Sequence, residues 1–407
     1  MIAIVGAGAA GLATAIFAAR RRPAEPVVAL DSARTLGAKI LVSGGSRCNV
    51  TNVVVTEADF WGGNPNIVKQ VLRAFSEQQA AAFFREIGVA LHDEEDGKLF
   101  PDTNRARTVL DALLREARSR GVELRTGCRV NEVRRDGENF TLGTNGGGVT
   151  AGKVVLATGG LSLPKTGSDG GGYRIAESLG HTLVPSTPAL APLVLDGGFH
   201  VPLAGVAHEA EMTVRSGGKP VRLQGPMLWT HFGLSGPVAL NASRHWHRAR
   251  LDGRDVTVTA GLLPGSDFAG AETWLLEQAA CRPRALVASA LATRLPSAVG
   301  TALLDHLGIE RETTLSRLSR AERRRLVHSL VEWPFQVRDS RGYAYAEVTA
   351  GGVPLEEIDP TTMASRRCPG LFLVGEILDV DGRLGGFNFQ WAWSTAWVAA
   401  RGLVPKV

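Results

Sequence analysis

The sequence predicts an α/β chain in which a Rossmann-like nucleotide-binding domain is built from both ends and interrupted by an inserted β domain and a small helical subdomain. Three observations carry this reading. Ile2 to Val5 is a short apolar β run, Gly11 to Arg21 has helix-forming composition, and Pro26 to Leu30 is a second β run ending at Asp31, a βαβ opening. From about Ala189 to Gly265 the pattern changes to short β-like runs broken by Gly and Pro. From Gly370 to Ala400 a buried-strand run, a Gly-rich loop and an apolar helix return, and they most simply complete the first domain.

Ile67, Val71, Leu72, Phe75, Phe83, Phe84 and Ile87 recur at helical spacings, as do Val109, Leu110, Leu113, Leu114 and Ala117, predicting two amphipathic helices. Val122 to Arg125, Val130 to Arg134 and Phe140 to Leu142 read as short strands, and Lys153 to Thr158 as a buried parallel strand. Ala210 to Arg215 and Val256 to Ala260 are strands of the insertion. Ala269 to Trp333 is helical in character, and a β-like run follows at Tyr345 to Thr349. The expected division is residues 1–188 with 347–407, residues 189–268 with 335–346, and residues 269–334.

With 407 residues, 44% hydrophobic and 21% charged, the chain excludes both a single small domain and a disordered polymer. The net charge of +5 is compatible with an anionic cofactor, an acidic substrate or nucleic acid, and alone selects none of them. Cys48, Cys128, Cys281 and Cys368 are scattered with no CxxC, so no metal site or disulfide framework is expected, and a reducing cytoplasm fits. Met1 to Ala19 carries no charge, but no Lys or Arg precedes it and its glycines sit at phosphate-loop spacing. It is read as a strand–turn–helix, with no membrane segment in the chain.

In Gly6-Ala7-Gly8-Ala9-Ala10-Gly11 the first glycine permits a tight turn, the second lets backbone approach a pyrophosphate, and the third lets helix pack on strand. Asp31, about 20 residues on, is placed to accept from a ribose 2′-hydroxyl, which disfavours a 2′-phosphate there. GxGxxG with an acid does not separate FAD from NAD. The run Leu371 to Val374 into Gly375-Glu376, then Gly385-Gly386-Phe387-Asn388-Phe389-Gln390, does: a closing strand and helix N-terminus can hold a ribityl chain and face a flavin pyrimidine, which an NAD site does not need.

These segments, with Ser43-Gly44-Gly45-Ser46-Arg47-Cys48-Asn49-Val50-Thr51-Asn52, Ala157-Thr158-Gly159-Gly160-Leu161-Ser162, Pro164 to Ser168 and Thr230-His231-Phe232-Gly233-Leu234-Ser235-Gly236-Pro237, resemble the family of BaiN, RdsA and aminoacetone oxidase flavoproteins almost end to end. The resemblance implies FAD in a Rossmann-like domain of the glutathione reductase type, an inserted β-barrel and a helical subdomain. It also implies cofactor contacts at Ala10, Lys39, Val130 and Ala157 to Gly160, beside Gly6, Gly8, Gly11, Asp31, Ser43, Gly44, Gly45, Arg47, Cys48, Asn49, Gly375, Glu376 and Gly385 to Gln390. Two departures stand out: Asp31 where the family usually has Glu, and Ser46 where it usually has a third glycine.

Arg47 and Asn49 offer donors to phosphate or flavin oxygens. Cys48 has no second cysteine at exchange spacing and reads as a packed thiol. His231, between Trp229 and Phe232, is the candidate proton donor or orienting group, and it fits a structural histidine equally. His181, after Gly180 at the end of a helix, reads as a capping residue.

With neither a second GxGxxG nor a CxxxxC pair, a glutathione reductase mechanism is out, and hydride comes from the substrate or from NAD(P)H visiting the flavin transiently. The resemblance leaves three chemistries: reduction of an activated C=C bond in a small molecule, reduction of uridine in ribosomal RNA, and oxidation of a small amine such as aminoacetone. The first leads, and the Arg-rich stretch 311–325 is the feature that keeps nucleic acid in view.

Overall fold

Ile2–Val5 (β1) and Val27–Leu30 (β2) are four-residue apolar strands buried along their whole length, as a sheet covered on both faces requires. Between them Ala9–Arg20 forms helix α1, which starts inside the glycine motif, two residues before the expected Gly11. Ala38–Ser46 (α2) follows, then Glu123–Arg125 (β3), Lys153–Leu156 (β4), Leu371–Leu373 (β5) and the closing helix Phe387–Leu403 (α3). The five strands form one parallel sheet in the order β5-β4-β1-β2-β3, with Ile2 in register with both Val27 and Lys153. The C-terminal segment thus completes a sheet begun at the N-terminus.

The computed structural model describes residues 1–21 and 24–404. They fall into two compact units, Met1–Pro188 with the stretch from Glu347 onward, and Ala189–Ala346. In the first unit α1 is buried on nearly every side, and Phe17 meets Phe75, Phe83 and Trp397 at ring-centroid distances of 5.3, 4.9 and 5.2 Å. The single amphipathic helix expected over Ile67 to Ile87 is two helices, Pro65–Ala74 and Glu77–Glu86. Ser76 divides them, because its hydroxyl and the Gln79 amide form a reciprocal capping box that starts a new helix.

The second unit holds a seven-stranded antiparallel sheet whose two outer strands are Trp333–Phe335 and Val337–Ser340. Only Gln336 separates them in the chain, so the sheet rolls until its edges are neighbours, which leaves no long free edge. The first and last strands of this unit also pair with each other, Leu193 with Ser340, and the Arg341 amide donates to the Pro192 carbonyl at 2.9 Å. One hydrophobic core runs through this sheet and the helices Phe268–Cys281, Ser297–Leu307 and Arg320–Val331, joining Trp229 and Trp333 to Leu303 and Leu326. Pro237–Leu251, inside the stretch read as short β runs, is a 15-residue helix. Gly236-Pro237 looks like a breaker, but proline at the first helical position begins a helix rather than ending one. The β-like run expected at Tyr345 to Thr349 is shifted to Val348–Gly352, since Gly342 accepts from both Tyr345 and Ala346 in a turn.

Candidate functional site

The loops after β1, β4 and β5 lie side by side at the carboxyl ends of three adjacent strands, where open α/β sheets bind ligands. Gly6 adopts φ 98°, and a Cβ there would meet the Ala157 carbonyl oxygen at 2.5 Å. A Cβ on Gly11 would fall 1.9 Å from the Gly6 oxygen, so strand and helix touch at that point. Gly8 differs: no atom lies within 4 Å of a Cβ built on it. The space beside the start of α1 is therefore open where a pyrophosphate is expected. No side chain caps α1, its first turn holds no acid, and the first intrahelical bond is Leu12 N to Gly8 O, so the amides of Ala9, Ala10 and Gly11 and the positive end of the helix dipole are available to an anion. Asp31 accepts from the Ala7 amide at 2.6 Å and the Ala33 amide at 2.8 Å, fixing its carboxylate beside the turn. The Cys128 amide donates to the Asp31 carbonyl at 2.8 Å, which brings the stretch leading to half-buried Val130 to the same end of the sheet.

Gly375, at φ 73°, packs so closely on α1 that a Cβ would approach the Ala10 Cβ to 2.7 Å. Its neighbour Glu376 is held by three groups. Lys39 Nζ lies 2.6 Å from Oε2, while the Ser162 hydroxyl at 2.7 Å and the Thr349 amide at 3.0 Å donate to Oε1. Lys39 also reaches the Ser162 oxygen at 2.5 Å, and the Thr349 hydroxyl accepts from the Leu161 and Ser162 amides. Three other segments of the chain converge on one carboxylate, whose Oε2 keeps a lone pair to spare, the chemistry needed to accept from a ribityl hydroxyl. Ser162 and Thr349 were not singled out in the sequence. Ser162 reaches Thr349 across 187 residues and Glu376 across 214, so no local pattern marks the cluster.

In the Ser43 to Asn52 loop the backbone is left-handed at Gly44, Gly45, Ser46 and Cys48. Ser46 at φ 68° is where the family usually has glycine, which gives that departure its physical reason. The Asn49 amide, oriented to satisfy its neighbours, donates to the Thr51 carbonyl at 2.8 Å and accepts from the Gly386 amide at 3.1 Å. Gly386, at φ 89°, caps α3, and a Cβ there would meet the Thr51 backbone at 2.6 Å. Thus the loop and the start of α3 form one surface, with no acid in the first turn of α3.

Several expected contact side chains are committed elsewhere. Arg47 pairs with Glu94 at 2.6 Å and lies 4.0 Å over the Phe100 ring. Cys48 is fully buried, and burial pushes its thiol up to about 12. Gln390 is fully buried, accepts from the Thr51 hydroxyl and donates to the Phe75 carbonyl and Ser394, and Phe387 lies in the core; both hold α3 in place from behind. Asn388 closes on both backbone groups of Gly382.

His231 belongs to the other unit, exposed in the tight turn between strands Val221–Thr230 and Gly233–Ser235. Beside it the Arg341 guanidinium is stacked between Phe232 at 4.7 Å and Tyr345 at 3.4 Å. The capping role expected of His181 is filled by backbone: Gly180 is left-handed, and the His181 amide returns to the Ala176 carbonyl at 3.1 Å. The imidazole instead lies buried between Glu357 Oε2 at 2.7 Å and Ser365 Oγ at 2.8 Å. Ser365 Oγ already accepts from the Arg367 and Cys368 amides, so its own hydrogen faces the imidazole and the ring is neutral. Burial, the larger effect, lowers the His181 pKa despite the opposing carboxylate. Among the described residues no cluster of His, Cys, Asp and Glu could hold a metal ion, and no helix is long and apolar enough to cross a membrane.

Residues 1–402 match the family model of the HI0933-like protein Rossmann domain. The chain is 37% identical over 410 residues to a ribosomal RNA dihydrouridine synthase of Escherichia coli, covering 98% of this chain and 97% of that protein. It is 32% identical to a 3-dehydro-bile acid delta(4,6)-reductase of Clostridium scindens, covering 100% and 99%. Among solved structures it resembles the FrdA chain of E. coli quinol fumarate reductase with a TM-score of 0.53 at 17% identity, over 99% of this chain and 69% of that one, a likeness of fold.

Proposed function

The chain belongs to the HI0933-like family of Rossmann flavoproteins and is an FAD-dependent oxidoreductase, and from that premise we propose that it reduces a carbon–carbon double bond conjugated to a carbonyl, with uridine in ribosomal RNA as the substrate. The observation that carries this reading is that two full-length relatives bear names describing one chemistry: a dihydrouridine synthase and a delta(4,6)-reductase each saturate a ring double bond activated by a carbonyl. RNA is favoured over a steroid by the higher identity of the former. This refines the reading in which a small molecule led.

The residues that would hold FAD are Gly6 to Gly11 and the start of α1 for the pyrophosphate, Asp31 for the ribose, Glu376 for the ribityl chain, and the Asn49 and Gly386 surface for the ring. When bound and reduced by NAD(P)H, the flavin would supply a hydride to the β carbon of the conjugated system. The remaining task for the protein is polarity. The start of α3, which no side chain caps, offers the positive end of a helix dipole where negative charge grows. A proton must also reach the α carbon of the reduced bond.

The test is anaerobic incubation of purified protein with protein-free ribosomal RNA and either NADH or NADPH, followed by nucleoside mass spectrometry. A two-hydrogen mass gain on uridine, dependent on enzyme and reductant, is the expected result. Bleaching of the flavin by reductant with reoxidation by a steroid enone, and none by RNA, would replace uridine with a small-molecule substrate. No bleaching by either nicotinamide would end the NAD(P)H-dependent reading.

A further inference from the structure

We propose that the exposed arginines Arg284, Arg317, Arg320 and Arg324 form the surface on which this protein docks structured RNA through its phosphates. The inference rests on the uridine reading above and names the part of the molecule that engages that partner. In sequence, the Arg-rich stretch runs from Arg311 to Arg325; the fold divides it. Arg311 is neutralised by Asp305 at 2.6 Å and Arg323 by Glu272 at 3.4 Å. Arg284, Arg317, Arg320 and Arg324 are exposed, and among the described residues no carboxylate pairs with them.

The structure also recruits a residue that the run does not contain. The segment around Arg284 lies antiparallel to the one before Arg317, with the Ser316 amide bonded to the Pro283 carbonyl at 3.0 Å and Leu315 to Ala285 at 2.9 Å. A bridge between Leu286 and Thr314 continues that pairing. The backbone at Arg284 is thereby brought opposite Ser316, the residue before Arg317. The helix Arg320–Val331 starts three residues after Arg317, behind the Ser319 capping box, and turns Leu326, Val327 and Leu330 into the core. Arg320 and Arg324, one turn apart, share a flank that faces solvent.

Within the protein this arrangement is unfavourable. Cations in the first turns oppose the helix dipole, and a like-charged pair at i,i+4 repels. The one acid in the first turn, Glu322, is tied to Ser319. Bound phosphates reverse both terms, and arginine gives each phosphate a two-pronged donor.

The experiment compares wild type with R284Q/R317Q/R324Q and with the control R311Q/R323Q, reading affinity for a transcribed domain of ribosomal RNA across a potassium chloride series, together with uridine reduction and flavin bleaching by reductant. Each lost phosphate contact removes about 0.7–0.9 from the slope of log K against log salt, so the triple variant is expected to lose about 10²-fold in affinity at 0.1 M salt and about 2–3 in slope. Its flavin content and bleaching stay as in wild type, and the control keeps the wild-type slope. If wild type reduces uridine while the triple variant binds RNA with unchanged affinity and slope, or the control loses as much, the surface is wrong and the substrate reading stands. If wild type neither binds RNA nor reduces uridine, the reading itself has failed, and this surface with it.

Discussion

Lys39 Nζ and the Glu376 carboxylate meet at 2.6 Å across 337 residues of sequence, joining the start of α2 to the end of the last strand of the parallel sheet. The pair is half-buried and shares the Ser162 hydroxyl, so removing the ammonium leaves a carboxylate with less compensation than its surroundings demand. Lys39→Met is expected to weaken FAD retention by about tenfold or more, as loss of a charged hydrogen bond of roughly 1.5–3 kcal/mol implies. Flavin absorbance per protein after dialysis measures it, with Lys39→Arg keeping most of the flavin. Full occupancy in Lys39→Met would show that Glu376 needs no cation beside it.

Gly8 separates the fold from the ligand more cleanly than its neighbours do. Its backbone, at φ −78°, is open to any residue, and a Cβ there meets nothing. Gly8→Ala is therefore expected to fold with the apoprotein melting temperature of wild type and to lose FAD affinity, whereas Gly11→Ala, whose Cβ strikes the Gly6 oxygen, is expected to lose the fold. Calorimetry on apoprotein and a flavin titration distinguish the two; equal FAD affinity in Gly8→Ala removes the pyrophosphate from this helix.

Burial holds the His247 pKa down to about 4, against a weaker upward pull from Asp339, and its Nε2 lies 2.7 Å from the Ser340 hydroxyl. A depressed histidine favours the neutral form in the fold, so the unfolded chain binds the extra proton first. Its contribution is complete above the ordinary value of 6.5 and is lost as pH falls from there toward 4. The lowered His181 acts in the same direction. Melting temperature should fall steadily over this window, and His247→Gln should flatten that decline; an unchanged pH profile in the variant would place the titration elsewhere.

The buried Cys48 thiol, raised to about 12, is expected to resist alkylation in the native protein, while exposed Cys281 is modified first. Peptide mass mapping after a brief iodoacetamide pulse reads the order directly. Early labelling of Cys48 would mean that the Ser43 to Asn52 loop opens in solution.

What the sequence made legible was whatever is encoded within a few residues. The Gly6 to Gly11 turn, the burial of β1, β2 and β4, and the acid at Asp31 follow from spacing and apolar runs, and all reappear in the sheet. Local signals that compete were misread, as with Gly236-Pro237 opening a helix and Ser76 dividing one. The Glu376 cluster was legible only in part. Glu376 sits in a motif and Lys39 follows from the resemblance, but Thr349, on the strand Val348–Gly352, meets Glu376 only through the fold. The same holds for Arg284, which comes opposite the residue before Arg317 only through backbone pairing.

Because Leu193 pairs with Ser340 and Arg341 bonds back to Pro192, the second unit begins and ends at one spot. To the domain that carries it, an excursion of roughly 160 residues then behaves like a loop of about five. By the usual logarithmic dependence, the entropy of closing the longer loop exceeds that of the shorter by about 3 kcal/mol, and a pre-folded insertion spares its host that difference. A chain shortened to join Pro192 directly to Arg341 through a brief linker asks no strand of the host sheet to move, and a chain whose insertion folds first presents its host with both halves of that sheet already tethered.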